Sequence, residues 1–162
     1  MAQTSYTDLP AIGQEGQVFD STAHESISKT ADVAIPVAVG VTQGAADGTC
    51  KLPAPGDADA NGDMHLLGIA MLDQHRDNSA QDYAAGDSVT LIRHGRVLVL
   101  VEDAVSAGGT VFVRHTVATT EQIGDFRSDA DGTNADPVLG AKFVTSAGAG
   151  ELAVIELDLV GV

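Results

Sequence analysis

Tryptophan is absent from this 162-residue chain, and tyrosine and phenylalanine number only 2 and 4. So few rings leave little on which a sugar face could stack, which counts against a carbohydrate-binding domain. Basic residues are also scarce: 8 Lys and Arg stand against 23 Asp and Glu, for a formal net charge of −15. Phosphate neutralisation needs cationic side chains, so that balance argues against nucleic acid and against an anionic membrane surface as partners. The one cysteine, Cys50, cannot form an internal disulfide, which suits a reducing cytoplasm. No local base or nucleophile motif accompanies it, so it reads as a small apolar residue. No run approaches the roughly 18 uninterrupted apolar residues of a membrane span. Met1 to Tyr6 lacks the basic start and apolar core of a signal peptide.

Catalytic and metal-binding signatures are missing as well. The chain has no G-x-S-x-G elbow, P-loop, G-x-G-x-x-G or C-x-x-C. Its histidines, His24, His65, His75, His94 and His115, are never three to five residues apart, so no local pair is offered to zinc. Asp57-Ala58-Asp59-Ala60-Asn61-Gly62-Asp63 opens like a calcium loop, with oxygen ligands at alternate positions and a glycine for the sharp turn. The match then fails, because Gly68 stands where a bidentate Glu is needed. Pro53 and Pro55 also prevent a normal helix before it. An Asx- and Gly-rich surface turn is the expected structure there. The same holds for Asp129-Ala130-Asp131-Gly132 with Asn134 and Asp136. No catalytic residue, metal or cofactor is expected.

What the chain does contain is short strands separated by turn signals. Val33, Ile35, Val37, Val39 and Val41 alternate with Ala34, Pro36, Ala38 and Gly40, which predicts a strand with one small-residue face. Ser21 to Asp32 is polar and reads as a turn or loop. Short strands are predicted near Gln17–Phe19, at Thr49–Leu52 and at Leu66–Leu72. Arg93-His94-Gly95-Arg96 reads as a hairpin turn between Val89–Ile92 and Val97–Val101. The second of these strands is apolar on both faces, hence central. Further strands are predicted at Thr110–Arg114, Val138–Thr145 and Leu152–Leu159. In the last, Ala153, Ile155, Leu157 and Leu159 face the core while Glu156 and Asp158 face solvent or a partner. Eight or nine strands without a helical period predict an all-β, single-domain β-sandwich, jelly-roll-like, over residues 16–162. Residues 1–15 form an N-terminal arm. Strand order stays open.

One charge feature interrupts the acidic background. Arg93, Arg96 and Arg114, with His94 and His115 beside them, would form a basic spot if their strands are neighbours, and such a spot could dock an acidic patch. The plainer alternative, favoured by the excess of carboxylates, is that these arginines pair internally.

The segments, in order, resemble the capsid decoration (cement) proteins of tailed bacteriophages. The resemblance rests on Gly13–Val18, Ile35-Pro36-Val37-Ala38-Val39-Gly40, Leu67-Gly68-Ile69-Ala70 and Ala85-Gly86-Asp87-Ser88-Val89. It continues through His94-Gly95-Arg96-Val97-Leu98-Val99, Ala107-Gly108-Gly109-Thr110-Val111-Phe112-Val113, Leu139-Gly140-Ala141 and the aliphatic C-terminal strand. Leu98 departs from the pattern, since these proteins often place an aromatic after the Gly-Arg-Val turn. The resemblance implies a non-enzymatic virion protein on the capsid exterior, made in the host cytoplasm. Its partner would be the major capsid protein, and it would act as a dimer or trimer. Tyr6, Leu9 and Ile12 would then be anchors of the arm, and the small residues Ala34 and Ala38 would permit close subunit packing. The alternatives are another virion module (tail, head-fibre or receptor-contact domain), or a small β-fold enzyme or carbohydrate-binding domain.

Overall fold

The computed structural model describes residues 13–20, 23–73, 82–117 and 119–159. Among them there is no helix. The strands are β1 (Glu25–Ala31), β2 (Gly40–Gln43), β3 (Thr49–Lys51), β4 (Gly68–Ala70), β5 (Ser88–Leu100), β6 (Thr110–Arg114), β7 (Phe126–Arg127), β8 (Ala135–Phe143) and β9 (Leu152–Asp158). They form one sheet in the order β1-β3-β2-β4-β5-β9-β8-β6-β7. The all-β expectation holds, and the strand order is now defined. β1 pairs with β3 and also with β5, so β1, β3, β2, β4 and the first half of β5 close into a ring. At the other end Val101, just past β5, bridges Phe126 and brings β7 back to the same strand. The sandwich is thus one sheet folded twice. Few strand edges are left bare, which removes the commonest template for unwanted pairing.

The two folds enclose two apolar cores. The first holds Ile35, Val37, Val39, Val41, Tyr83, Val89 and Leu91. The second holds Ile69, Ile92, Val97, Val99, Val113, Phe126, Phe143, Ile155 and Leu157. Most of these are aliphatic, each worth about 1.5–3 kcal/mol when fully buried. A chain so short of aromatics can therefore still hold two cores.

β5 serves both. Val89 and Leu91 enter the first core, whereas Val97 and Val99 join Ile92 in the second. In a regular strand, positions 92 and 97 point to opposite faces. The mismatch is absorbed by an extra residue near Arg93 and His94: Glu25 pairs with His94, but Ser26 pairs with Ile92. Gly95 follows at φ +116, and a Cβ there would lie 2.8 Å from the His24 Cβ. The hairpin expected at Arg93–Arg96 is therefore a bulge within one 13-residue strand. A glycine at positive φ serves a turn and a bulge equally, and only the long-range pairing to β1 and β9 distinguishes them.

Two further expectations are corrected. Of the predicted 33–41 strand only Gly40 and Val41 fall in a strand of the sheet, at the start of β2. Ile35, Val37, Val39 and Val41 are buried as expected, but Val33 is exposed and Ala38 turns into the left-handed region at φ 66. Conversely, the polar stretch read as a loop contains β1, which pairs with β5 from Glu25 to Thr30. Its side chains are largely exposed, so backbone pairing holds it and no hydrophobic alternation announces it.

Beneath β6 and β7 lies a buried ionic cluster. Arg114 is 1% exposed; its Nε and Nη2 donate to the two Glu102 carboxylate oxygens at 2.6 and 2.8 Å. Arg114 Nη2 also donates to Asp131 at 2.9 Å, and Nη1 to the Thr116 carbonyl at 3.0 Å. Arg127 Nη1 donates to the same Glu102 at 2.9 Å, and its Nη2 to Asp129 at 2.8 Å. Glu102 therefore bridges two guanidiniums, and Asp131 and Asp129 supply the remaining negative charge. Glu102→Ala should cost about 3–5 kcal/mol in urea unfolding at neutral pH, because both charges lose their shared partner. A loss below about 1 kcal/mol, the size of an exposed pair, would show the cluster to be solvated instead.

Candidate docking surface

The outward face of β5, β9 and β8 carries a ladder of opposite charges. Arg96 lies across from Glu156 and His94 from Asp158 between β5 and β9, and Lys142 lies across from Glu156 between β8 and β9. Arg96 Nε donates to Glu156 at 2.9 Å, and its Nη1 to Asp20 at 3.2 Å. Lys142 Nζ approaches the other Glu156 oxygen at 2.9 Å, and His94 Nδ1 lies 3.5 Å from Asp158. The hydrogen bonds from Lys142 and then Arg96 hold the Glu156 carboxyl below its ordinary range. Two shallow grooves flank β9. One is lined by His94, Gly95 and Arg96, the other by Gly140, Ala141 and Lys142, and both share Glu156 and Asp158. Further along this face Leu98 and Val154 pair and are buried. Gly13 lies over Leu98, where a Cβ would come within 2.6 Å of Cδ1.

The predicted basic spot divides. Arg93, His94 and Arg96 are together on β5 at the surface, with side chains 29%, 45% and 35% exposed. Arg93 donates through Nη2 to the Leu159 carbonyl at 3.2 Å, with Glu25 at 3.8 Å. Arg114 is a correction: it lies inside the protein and cannot belong to a docking surface. His115 is buried beside it, with Thr116 at 2.9 Å and Asp136 at 3.3 Å. The internal-pairing alternative wins there because Glu102 just past β5, Asp131 in the 128–134 loop and Asp136 at the start of β8 supply the carboxylates.

Ala34 is exposed, but Ala38 is a second correction: its left-handed turn takes it into the first core. Tyr6, Leu9 and Ile12 lie outside the described residues, as does His75. Lys142 and Asp20 were not singled out from the sequence. Each gains meaning only from cross-strand register or chain return, which no local motif encodes.

The acidic loops are structural turns. Asp57 accepts from Thr42 at 2.9 Å, Lys51 at 2.7 Å and the Ala54 amide at 2.9 Å. Burial raises this carboxyl, yet those bonds outweigh it and hold it below the ordinary range. Asp59 is held at about 2 by the Asp63 amide, then by His65 and the Asn61 amide. Asp129 and Asp131 are occupied by Arg127 and Arg114. Among the described residues no group of three or more metal-type side chains converges. Cys50 is fully buried, and burial, followed by Asp32, pushes its thiol up to about 11, which leaves it unreactive. Millimolar calcium should leave Tm within about 1 °C. A rise of about 5 °C or more, the size expected of a ligand near 100 times its Kd, would overturn the structural reading of these loops.

Comparison with known proteins adds an independent line. The family described as structural cement protein (E217 gp24/Pam3 gp6) matches residues 2–158. No curated protein sequence matches the chain. A chain in the capsid of Myoviridae phage XM1 is similar in structure at TM-score 0.68 and 17% identity, over 97% of this chain and 94% of that one. That likeness shows a shared fold. The N base of head fibre gp8.5 of bacteriophage phi29 gives TM-score 0.48 at 14% identity, over 85% of this chain and 96% of that one.

Proposed function

The chain belongs to the phage structural cement protein family, and from that membership we propose that it sits on the outer surface of an icosahedral shell and ties neighbouring major capsid subunits together. It is a capsid-stabilising structural protein of the virion. The observation that carries the reading is the family match, which runs through both cores rather than through a single motif. A folded clip that binds the assembled lattice better than its free subunits stabilises that lattice by mass action. Action as a dimer or trimer adds avidity, so no single contact needs to be tight. The role is non-enzymatic, and synthesis in the host cytoplasm suits a chain whose one thiol is buried.

The face of β5, β9 and β8 is the docking surface best supported by the charge distribution. On a chain of net charge −15 it gathers Arg96, Lys142 and His94 against Glu156 and Asp158, so it is close to balanced. An acidic shell surface meets less repulsion there than on the remaining exterior, and complementary charge then sets orientation. Arg93 extends this face and Ala34 offers a small exposed contact, and Tyr6, Leu9 and Ile12 are the residues we propose for contact with an adjacent subunit.

Purified protein should co-sediment with expanded, undecorated shells of its own phage at micromolar concentration. The double reversal Arg96→Glu with Lys142→Glu should weaken that binding about tenfold or more while far-ultraviolet dichroism stays unchanged. Absence of co-sedimentation contradicts the function, and undiminished binding by the double variant removes this face from it.

A further inference from the structure

Glu15, Asp82 and Asp125 come from three separate stretches of chain and line one cleft of about 200 Å³. Leu100 and Val37 supply apolar wall, and Gln122 is the neutral donor, its Nε2 lying 3.3 Å from Asp125 Oδ1. None of the described lining residues is basic. Glu102, whose charge also acts on Asp125, is already committed to Arg114 and Arg127.

The two sides of the cleft are held differently. Asp125 sits on a fixed turn: its carbonyl accepts from the Arg114 amide at 2.9 Å, and the neighbouring Gly124 carbonyl accepts from Gly40 at 2.9 Å. Glu15 sits on the segment 13–20, which lies along β5 as an added strand. That segment is fastened by Gly16 N to Leu98 O at 2.8 Å, Leu98 N to Gln17 O at 3.0 Å, Phe19 N to Arg96 O at 2.9 Å and Leu72 N to Gly16 O at 2.9 Å. The Asp20–Arg96 pair pins its far end. Gly16 adopts φ +75 at the closest approach, where a Cβ would lie 2.5 Å from Val37 Cγ1. The segment thus carries a carboxylate into a cleft that already holds two, on a fastening of only a few bonds.

We propose that this cleft is a proton-operated latch: a proton held on the Glu15 and Asp125 carboxyls keeps residues 13–20 docked on β5, and its loss loosens them. Burial, then the charges of Glu102 and Glu15, raise Asp125 to about 7, with the Gln122 hydrogen bond opposing, and burial and Asp82 raise Glu15. Undocking frees Glu15 from burial and takes its charge away from Asp125, so both carboxyls bind more protons in the docked state, while the Glu102 charge acts on Asp125 in either state. Docking is therefore strongest at the acid end, weakens as pH rises towards about 7, and is level above it. The segment includes the last residues of the stretch 1–15 expected to form an arm, so the latch sets how firmly Gly13 to Glu15 are held.

Hydrogen exchange on the intact chain tests this, corrected for the intrinsic pH dependence of exchange and compared between about pH 5 and pH 8. Protection of the Gly16, Phe19 and Leu98 amides should fall at least tenfold across that range, while Val99 and Ile155 in the second core stay protected. Asp125→Asn, which keeps shape and removes the proton, should abolish the fall. Glu15→Gln, placed on the segment itself, should make the fall shallower and serves if the first variant folds poorly. Constant protection in the wild-type chain, an equal fall in the core amides, or an unchanged pH profile in whichever variant folds would each overturn the latch.

Discussion

The structure depends on a single strand changing face part-way along. β5 places Val89 and Leu91 in one core and Val97 and Val99 in the other, and the bulge at Arg93–His94 makes the exchange. Without the extra residue, positions 97 and 99 would turn away from the second core and Leu98 would turn into it. The same strand backs the segment 13–20, pairs with β1, β4 and β9, and sets Arg96 against Glu156. Two closures that share a strand share its register, so an error there would disturb both cores and the outer face together.

Charge is organised around the same frame. The chain has few cations, and two of its arginines are placed inside, where Glu102 bridges them. Burying guanidiniums does not by itself stabilise a protein, because desolvation offsets much of the attraction. Here it ties β6, β7 and the 128–134 loop into one unit. With those two cations internal, the exterior is more uniformly anionic than composition suggests, and the balanced ladder on β5, β9 and β8 becomes its clearest exception.

Legibility in the sequence followed the strength of each local signal. The core face of β9 was readable: Ala153, Ile155, Leu157 and Leu159 are buried and Asp158 is exposed, whereas Val154 on the other face is buried beside Leu98, which the period of two does not announce. β4 and β6 also stood out as aliphatic runs beside glycines, and β3 through the Asp47-Gly48 turn before it; β8 was legible only from Val138, because Ala135 to Pro137 read as part of an acidic loop. β1 did not, since Glu25–Ala31 buries little and exists through its backbone bonds to β5. The bulge at Gly95 was mistaken for a turn because both ask for the same backbone angle. Arg114 stood between a surface spot and the favoured internal pairing, because sequence counts charges but does not show which of them a loop will cover. The ordered series of weak glycine–strand motifs was nevertheless enough to indicate the cement proteins, and the family match along residues 2–158 bears that out.

A cement role asks for a compact body, a face another protein can approach, and solubility before assembly. The doubly closed sheet, the charge ladder and the acidic remainder meet those three needs. The most direct test is electron cryomicroscopy of expanded shells with and without the added protein. Extra density should lie on the outside, over junctions between major capsid subunits, with the Arg96–Glu156–Lys142 face turned towards the shell. Density confined to the tail or to fibres, or shells identical with and without the protein, would contradict the account.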